Sequence, residues 1–284
     1  MSIFSIQSHV SHGYVGNRAA TYPLQSLGYD VWTVNTVNFS NHTGYGSWRG
    51  QVLEPEAVRD VIQGIFDLDV QHSCRAVLSG YLGSAAIGSI ILETVNRLKA
   101  LNPDLVYLCD PVMGDVGRGF FVKDEVTDFF KNMGVPCATI ITPNHFETEA
   151  LYGSSIRTIQ EALKACQFFH KNGIKVVALT SLILDGTPAD ELYVLVSTPE
   201  QKILGKTPYL PFTTAPNGTG DLFSALFLGH YLKSGDIIQT LEKTLLSIFS
   251  VIKRTFSSGN RELRLIEEDY KNPIYEQKIS IRQL

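Results

Sequence analysis

The run Leu105-Val106-Tyr107-Leu108-Cys109, apolar at every position and closed by Asp110-Pro111, does most to constrain the fold. A strand open to water on one face alternates apolar with polar residues. One that is apolar throughout needs cover on both faces, as in a parallel sheet between two layers of helices. Comparable short runs recur at Ile3 to Gln7, Asp30 to Val37, Ala76 to Ser79, Ala138 to Thr142 and Ile174 to Leu179. Between them lie helically spaced segments: Asn17 to Leu27 with Pro23 inside, Pro55 to Leu68, Ser84 to Ala100 and Lys123 to Lys131. Two more helices follow, one opened by Pro143-Asn144 and one from Thr158 to Asn172. This alternation predicts an α/β fold, a doubly wound and mostly parallel sheet flanked by helices.

The later part of the chain departs from the alternation. Leu192 to Ser197 and Gln201 to Lys206 read as an antiparallel meander, and helices are expected over Leu222 to Leu232 and Ile237 to Phe256. Asn38 to Gly50 has turn residues and no helical period, so it is expected to project as a small flap or edge hairpin. From about residue 257 the chain is polar and is assigned to a C-terminal helical tail. No repeat, low-complexity tract or linker interrupts the 284 residues, so residues 1–284 are expected to form a single domain.

Composition removes several function classes. A net charge of −4 gives no basic field for nucleic acid or an anionic membrane. The start, Met1-Ser2-Ile3-Phe4-Ser5-Ile6, lacks the basic and apolar pattern of a secretory signal, and no window reaches the length of a membrane span. Cys74, Cys109, Cys137 and Cys166 are far apart, with no C-x-x-C pair, which reads as reduced thiols in a cytoplasmic protein.

Ligands of an open α/β sheet bind outside the carboxyl ends of its strands. Taken in order, those ends carry Ser8, Tyr81, Asp110, Thr142-Pro143-Asn144 and Thr180-Ser181. Each alone is ordinary turn or cap chemistry; their alignment on one rim argues for a site. Asp110, Asp115 and Glu147 add carboxylates, which with substrate phosphates and water suit magnesium. His9, His12, His42 and His145 make no metal pattern, and no Walker-type phosphate loop is present.

Ala215-Pro216-Asn217-Gly218-Thr219-Gly220-Asp221 leads directly into the apolar helix at Leu222. Two glycines permit a tight turn, and a helix beginning there offers unpaired N–H groups to an anion. Asp221 is then either a helix cap or a catalytic carboxylate.

These motifs carry a resemblance. Asn217-Gly218-Thr219-Gly220-Asp221-Leu222-Phe223 with Asn144-x-x-Glu147 resembles the ribokinase-like superfamily of ATP-dependent small-molecule kinases. Ser8-His9-Val10, Gly13-Tyr14-Val15-Gly16-Asn17, Phe39-Ser40-Asn41-His42-Thr43, Ser79-Gly80-Tyr81-Leu82-Gly83 and Asp110-Pro111-Val112-Met113-Gly114-Asp115 are similar to the pyridoxal kinase family in particular. The matches run in order from residue 3 to about residue 230.

The resemblance implies phosphorylation of the 5′-hydroxyl of pyridoxal by ATP, with pyridoxine and pyridoxamine as further substrates, in vitamin B6 salvage. Asp221 is then the base. Ser8, His42, Thr43, Gly44, Tyr81 and Phe121 hold the pyridine substrate, and Gly218, Thr219 and Gly220 hold the transferring phosphoryl group. Asp110, Thr142, Asn144, Glu147, Thr180 and Ser181 serve the nucleotide. Asp110, Asp115, Thr142 and Glu147 hold magnesium and a monovalent cation. Homodimers are common in the family. Some members carry a tyrosine where this chain has Phe121, which keeps the ring and drops a hydroxyl contact. Two other readings are a hydroxymethylpyrimidine kinase, which usually has a cysteine at the position of Asp221, and a pyridoxal phosphate-binding carrier or sensor.

Overall fold

The computed structural model describes residues 1–274 and 279–284. In chain order the elements are β1 (Ser2–Val10), α1 (Asn17–Ser26), β2 (Asp30–Phe39), β3 (Gly50–Val52), α2 (Pro55–Asp67), β4 (Cys74–Ser79) and α3 (Ala85–Leu101). Next come β5 (Val106–Cys109), β6 (Gly114–Asp115), β7 (Gly119–Phe120), α4 (Asp124–Phe129), β8 (Ile140–Ile141), α5 (His145–Tyr152) and α6 (Ile159–Lys171). The chain ends with β9 (Val176–Leu182), β10 (Glu191–Ser197), β11 (Lys202–Pro208), α7 (Thr219–Ser234), α8 (Ile237–Ser257) and β12 (Ser280–Gln283).

Ten strands form one sheet in the order β12-β11-β10-β9-β8-β5-β4-β1-β2-β3. The pairs from β2 through β1, β4, β5 and β8 to β9 are parallel, and antiparallel strands extend both edges. A doubly wound sheet is what the alternation predicts. Successive strand residues point to opposite faces, so Phe4, Ile6, Val77, Tyr107 and Cys109 enter one core and Ile3, Leu78, Leu108 and Ile140 the other. The first is covered by helices α2 to α6 and the second by α1, α7 and α8.

Helix α7 is apolar all round because it is enclosed all round: Leu222 to His230 are buried without interruption, between the sheet, α1 and α8. Its N-terminal turn is therefore held by a rigid body. His230, on the same helix, is buried with its Nε2 unpartnered. Burial first, then the positive charges of Lys243 and Lys233, push its imidazole down to about 4. The unfolded chain binds that proton near pH 6.5, so stability is complete above this value, falls as pH drops towards 4, and is level below. The loss amounts to about 3 kcal/mol at most. His230→Gln should flatten this dependence in urea unfolding at pH 7 and pH 4.5; an unchanged slope would assign the acid sensitivity to another group.

Three expectations need correction. Ser8 lies inside β1, not after it, at a shift in the β1–β2 register between Gln7 and His9 that carries the strand on to Val10. The expected helix from Lys123 to Lys131 is α4 followed by a π turn over Phe130–Gly134. Among the described residues the tail from about 257 holds no α-helix. Gly259 turns the chain at φ 65°, a single 3-10 turn spans Leu265–Glu267, and β12 pairs antiparallel with β11. Buried Leu263, Leu265 and Tyr270 anchor this segment against the α1–α7–α8 core, a tertiary effect that helical period does not encode. Residues 275–278 of the expected tail lie outside the described residues. Asn38 to Gly50 forms the expected edge hairpin, with Val37, Asn38 and Phe39 opposite Val52, Gln51 and Gly50.

Candidate active site

The order of the parallel strands reverses at β1, which is flanked by β2 on one side and β4 on the other. Chains leaving such a point diverge to opposite faces and open a crevice at the carboxyl rim. Ser8 on β1 and Tyr81 just after β4 stand at this rim. The Tyr81 carbonyl accepts a 2.9 Å bond from the Thr36 hydroxyl, and Gly80 lets Gln7 approach so closely that an added Cβ would lie 2.6 Å from its Oε1.

Two glycine turns pack against each other here. Gly218, the N-cap of α7 at φ 87°, lies against the Tyr14 carbonyl with no room for a Cβ. Gly16, the N-cap of α1, lies equally close to the carbonyl and hydroxyl of Ser8. Thr219, Gly220 and Asp221 are thus the first three residues of α7, where N–H groups lack intrahelical acceptors. Asp221 is not the cap, because Gly218 occupies that position. Burial raises its carboxyl, and the N–H groups of Gly16 and of Asp221 itself pull it part of the way back.

One turn further along α7, Ser224 donates 2.9 Å to Asp110 Oδ2 and shares a 2.8 Å hydrogen bond with the Thr142 hydroxyl. Asp110 is buried at the end of β5, and its carboxyl is held well above the usual range by burial, then by the charges of Glu147 and Asp221. Glu147 is pushed up to about 8, chiefly by burial, against three N–H groups that favour its charge. It accepts from Asn144 and Met113, each at 2.9 Å, and from Gly114 at 3.5 Å. The Asn144 side chain caps α5 reciprocally at Glu147 N and donates 2.8 Å to the Gly114 carbonyl. Asn144 also bridges Thr180, whose N–H donates 2.9 Å to Pro143 O, and Ser181 beyond it takes a left-handed φ of 50°.

The acids Asp110, Glu147 and Asp221 thus share one neighbourhood. Asp115 is exposed on the β6–β7 hairpin beside Gly114, its Oδ1 accepting 2.8 Å from Val116 N, and its charge raises Glu147. Among the described residues no group of three or more His, Cys, Asp or Glu side chains forms a metal cage. The donor set suits magnesium held by one or two carboxylates with water and phosphate oxygens, since Glu147 and Asp221 raise Asp110 and Asp115 raises Glu147, and a hard cation would offset that charge.

In the flap, Thr43–Tyr45 form a 3-10 turn capped by His42, whose Nδ1 accepts 3.0 Å from Gly44 N. Asn217 of the second glycine turn lies beside Gly44. His42 is pushed down by burial and by Arg118, Glu262 opposing. Arg118 lies on the β6–β7 hairpin, 5.5 Å from the centroid of the Phe121 ring. Phe121 is half exposed and its N–H donates 3.0 Å to Met113 O. Sequence reasoning missed Arg118 and Ser224. The three-residue spacing from Asp221 to Ser224 was the available signal for the second, because it places both on one helix face. A cavity of about 670 Å³ near Lys175, Tyr231 and Asp236 lies at the opposite rim and contains none of these residues.

A family model described as phosphomethylpyrimidine kinase matches residues 24–264. The chain therefore belongs to this family of small-molecule kinases, and within it stands among the pyridoxal kinases. It is 46% identical over 267 residues to pyridoxal kinase PdxY of Granulibacter bethesdensis, covering 93% of each chain. With pyridoxal kinase PdxY of Rubrobacter xylanophilus the identity is 45%, covering 94% of this chain and 91% of the relative. The pyridoxal kinase of Leishmania donovani, solved in complex with ADP and pyridoxamine, superposes with a TM-score of 0.90 at 30% identity, covering 100% of this chain and 99% of that one.

Proposed function

We propose that this protein transfers the γ-phosphoryl group of ATP to the 5′-hydroxyl of pyridoxal, giving pyridoxal 5′-phosphate and ADP, with pyridoxine and pyridoxamine as further acceptors. The observation that carries this reading is the packing of the Gly218–Asp221 helix start on the Gly13–Asn17 turn, which unites a carboxylate with free amides at the strand-order reversal. Relatives named for this activity, and a solved one holding ADP with a B6 vitamer, support it.

Asp221 accepts the hydroxyl proton as the 5′ oxygen bonds to the γ-phosphorus and the bond to the ADP oxygen breaks. The amides of Thr219 and Gly220, at the positive end of α7, stabilise charge on the group in transfer. Ser8 and Thr43 hydrogen-bond the pyridine substituents; His42, Gly44, Tyr81 and Phe121 pack round the ring. Burial and Arg118 favour a neutral His42, suited to packing against a heterocycle. Asn144, Thr142, Thr180 and Ser181 serve the nucleotide. Asp110, Asp115, Thr142 and Glu147 are the residues that would hold magnesium, and their oxygens also suit a monovalent cation. Magnesium, when bound, neutralises phosphate charge and aligns the leaving oxygen.

We assign residues 1–284 to one kinase domain, since the main sheet draws strands from Ser2 to Gln283. A reducing, cytoplasmic setting fits four free thiols, three of them buried. Among the described residues no helix is long and apolar enough to cross a membrane. A homodimer is in keeping with an exposed edge strand β3 carrying Val52, with Trp48 exposed beside it.

The test is purified protein with ATP, magnesium and each vitamer in turn, followed by separation of phosphorylated products. Product from pyridoxal is expected. Product from hydroxymethylpyrimidine alone would overturn the assignment, and tight binding of pyridoxal phosphate with no turnover would make the protein a carrier.

A further inference from the structure

We infer that Arg261 and Glu262 are positioning residues of the substrate site, forming a latch that ties the flap to the first glycine turn. The inference rests on the reading of these two loops as the substrate-holding elements. Both residues lie in the stretch after α8, where the turn at Gly259 redirects the chain across the site and buried Leu263 and Leu265 fix the chain on the core immediately beyond them.

Glu262 divides its carboxylate between the two loops. Oε1 accepts the Tyr45 hydroxyl at 2.6 Å, and Oε2 accepts the Tyr14 N–H at 3.0 Å. Gly13 makes this approach possible: a Cβ there would overlap the Glu262 carboxylate, and the residue takes φ 92°. Arg261 grips the same flap turn from another side. Its Nη2 donates 2.6 Å to the Gly44 carbonyl, and its guanidinium carbon sits 3.7 Å from the Tyr45 ring centroid.

At the base of the flap the Ser11 and His12 N–H groups donate to the Phe39 and Ser40 carbonyls, at 2.9 and 2.8 Å, and the His12 ring meets Tyr45, so the latch acts on the exposed tip beyond these contacts. None of Thr43–Tyr45 is buried, and β3 pairs with β2 through three residues. Charge-assisted bonds to Gly44 and Tyr45 therefore set the position of His42 and Thr43, the residues assigned to the pyridine ring. The latch reaches the α7 start only through Tyr14, whose carbonyl lies against Gly218, whereas it bonds the flap turn directly at Gly44 and Tyr45, so its loss should fall on the vitamer far more than on the nucleotide.

Tyr45→Phe removes one hydroxyl and keeps the ring beneath Arg261. Glu262→Gln keeps the shape and removes the charge. Each variant should raise KM for pyridoxal about tenfold while KM for ATP moves less than about twofold, and the double variant should be less than additive. Hydrogen exchange at the Gly44, Tyr45 and Gly46 amides should quicken in both. Wild-type KM values with unchanged exchange would overturn the latch, as would an equal loss for both substrates accompanied by a lowered Tm. If the wild-type protein phosphorylates no vitamer, the functional reading fails, and the exchange rates of the same variants still decide whether the latch holds the flap.

Discussion

Asp221→Asn should lower kcat for pyridoxal phosphorylation about 10³-fold, the scale of losing a positioned general base, while ATP still binds. The substitution keeps size and position in the first turn of α7. Gly218 remains the helix N-cap, so cap geometry is not at stake. The variant loses the acceptor for the hydroxyl proton, together with one of the charges that raise Asp110. Calorimetry with ATP and a thermal melt separate chemistry from folding, and the melt should not fall. Wild-type turnover by the variant would reduce Asp221 to a stabilising charge at a helix end.

Gly218→Ala should also be damaging, about tenfold less so and for a different reason. The site has φ 87°, which costs a non-glycine residue about 1–2 kcal/mol. More important, the new Cβ would overlap the backbone carbonyl of Tyr14, which cannot swing away as a flexible side chain does. The two glycine turns must then separate, and the amides of Thr219 and Gly220 move with them. A displacement of that kind costs about 10²-fold in rate. Gly235→Ala, at the other end of the same helix with φ 64° and open space around it, isolates the backbone term. It should lower stability by about 1–2 kcal/mol and leave kcat unaltered. Equal activity of the two variants would mean that the contact between the turns is unimportant to catalysis.

Much of the rim was readable because local chemistry and global fold agree there. Leu105 to Cys109 is apolar throughout because helices cover both faces, and the acid after it necessarily emerges at the carboxyl rim. Asn144 and Glu147 were legible as a motif at a helix start, and the structure shows what their three-residue spacing does there: each caps the other's backbone. Asp221 was ambiguous between cap and base, and the geometry removes the first role. The features that stayed hidden depend on contacts distant in sequence. Ser8 is aimed by a register shift between β1 and β2, which no periodicity reports. Glu262 meets Tyr14 and Tyr45 across separations of 248 and 217 residues, so the polar stretch carrying it looked featureless. Arg118 approaches the flap because a short hairpin folds back, and its sequence neighbours give no hint of His42.

The enclosure of α7 has a bearing on how such an enzyme can diversify. Asp221 and Ser224 ride on a helix whose residues from Leu222 to His230 are packed on every side, so most substitutions along it disturb the core. Of the residues proposed to hold the pyridine ring, His42, Thr43 and Gly44 hang instead from an edge hairpin with solvent on its outer surface, where replacements meet few neighbours. Selection on substrate range can therefore act on one part of the molecule while phosphoryl chemistry is inherited intact from another. Relatives that differ in the vitamer they prefer are expected to differ most between residues 38 and 50, and least along the helix that begins after Gly218.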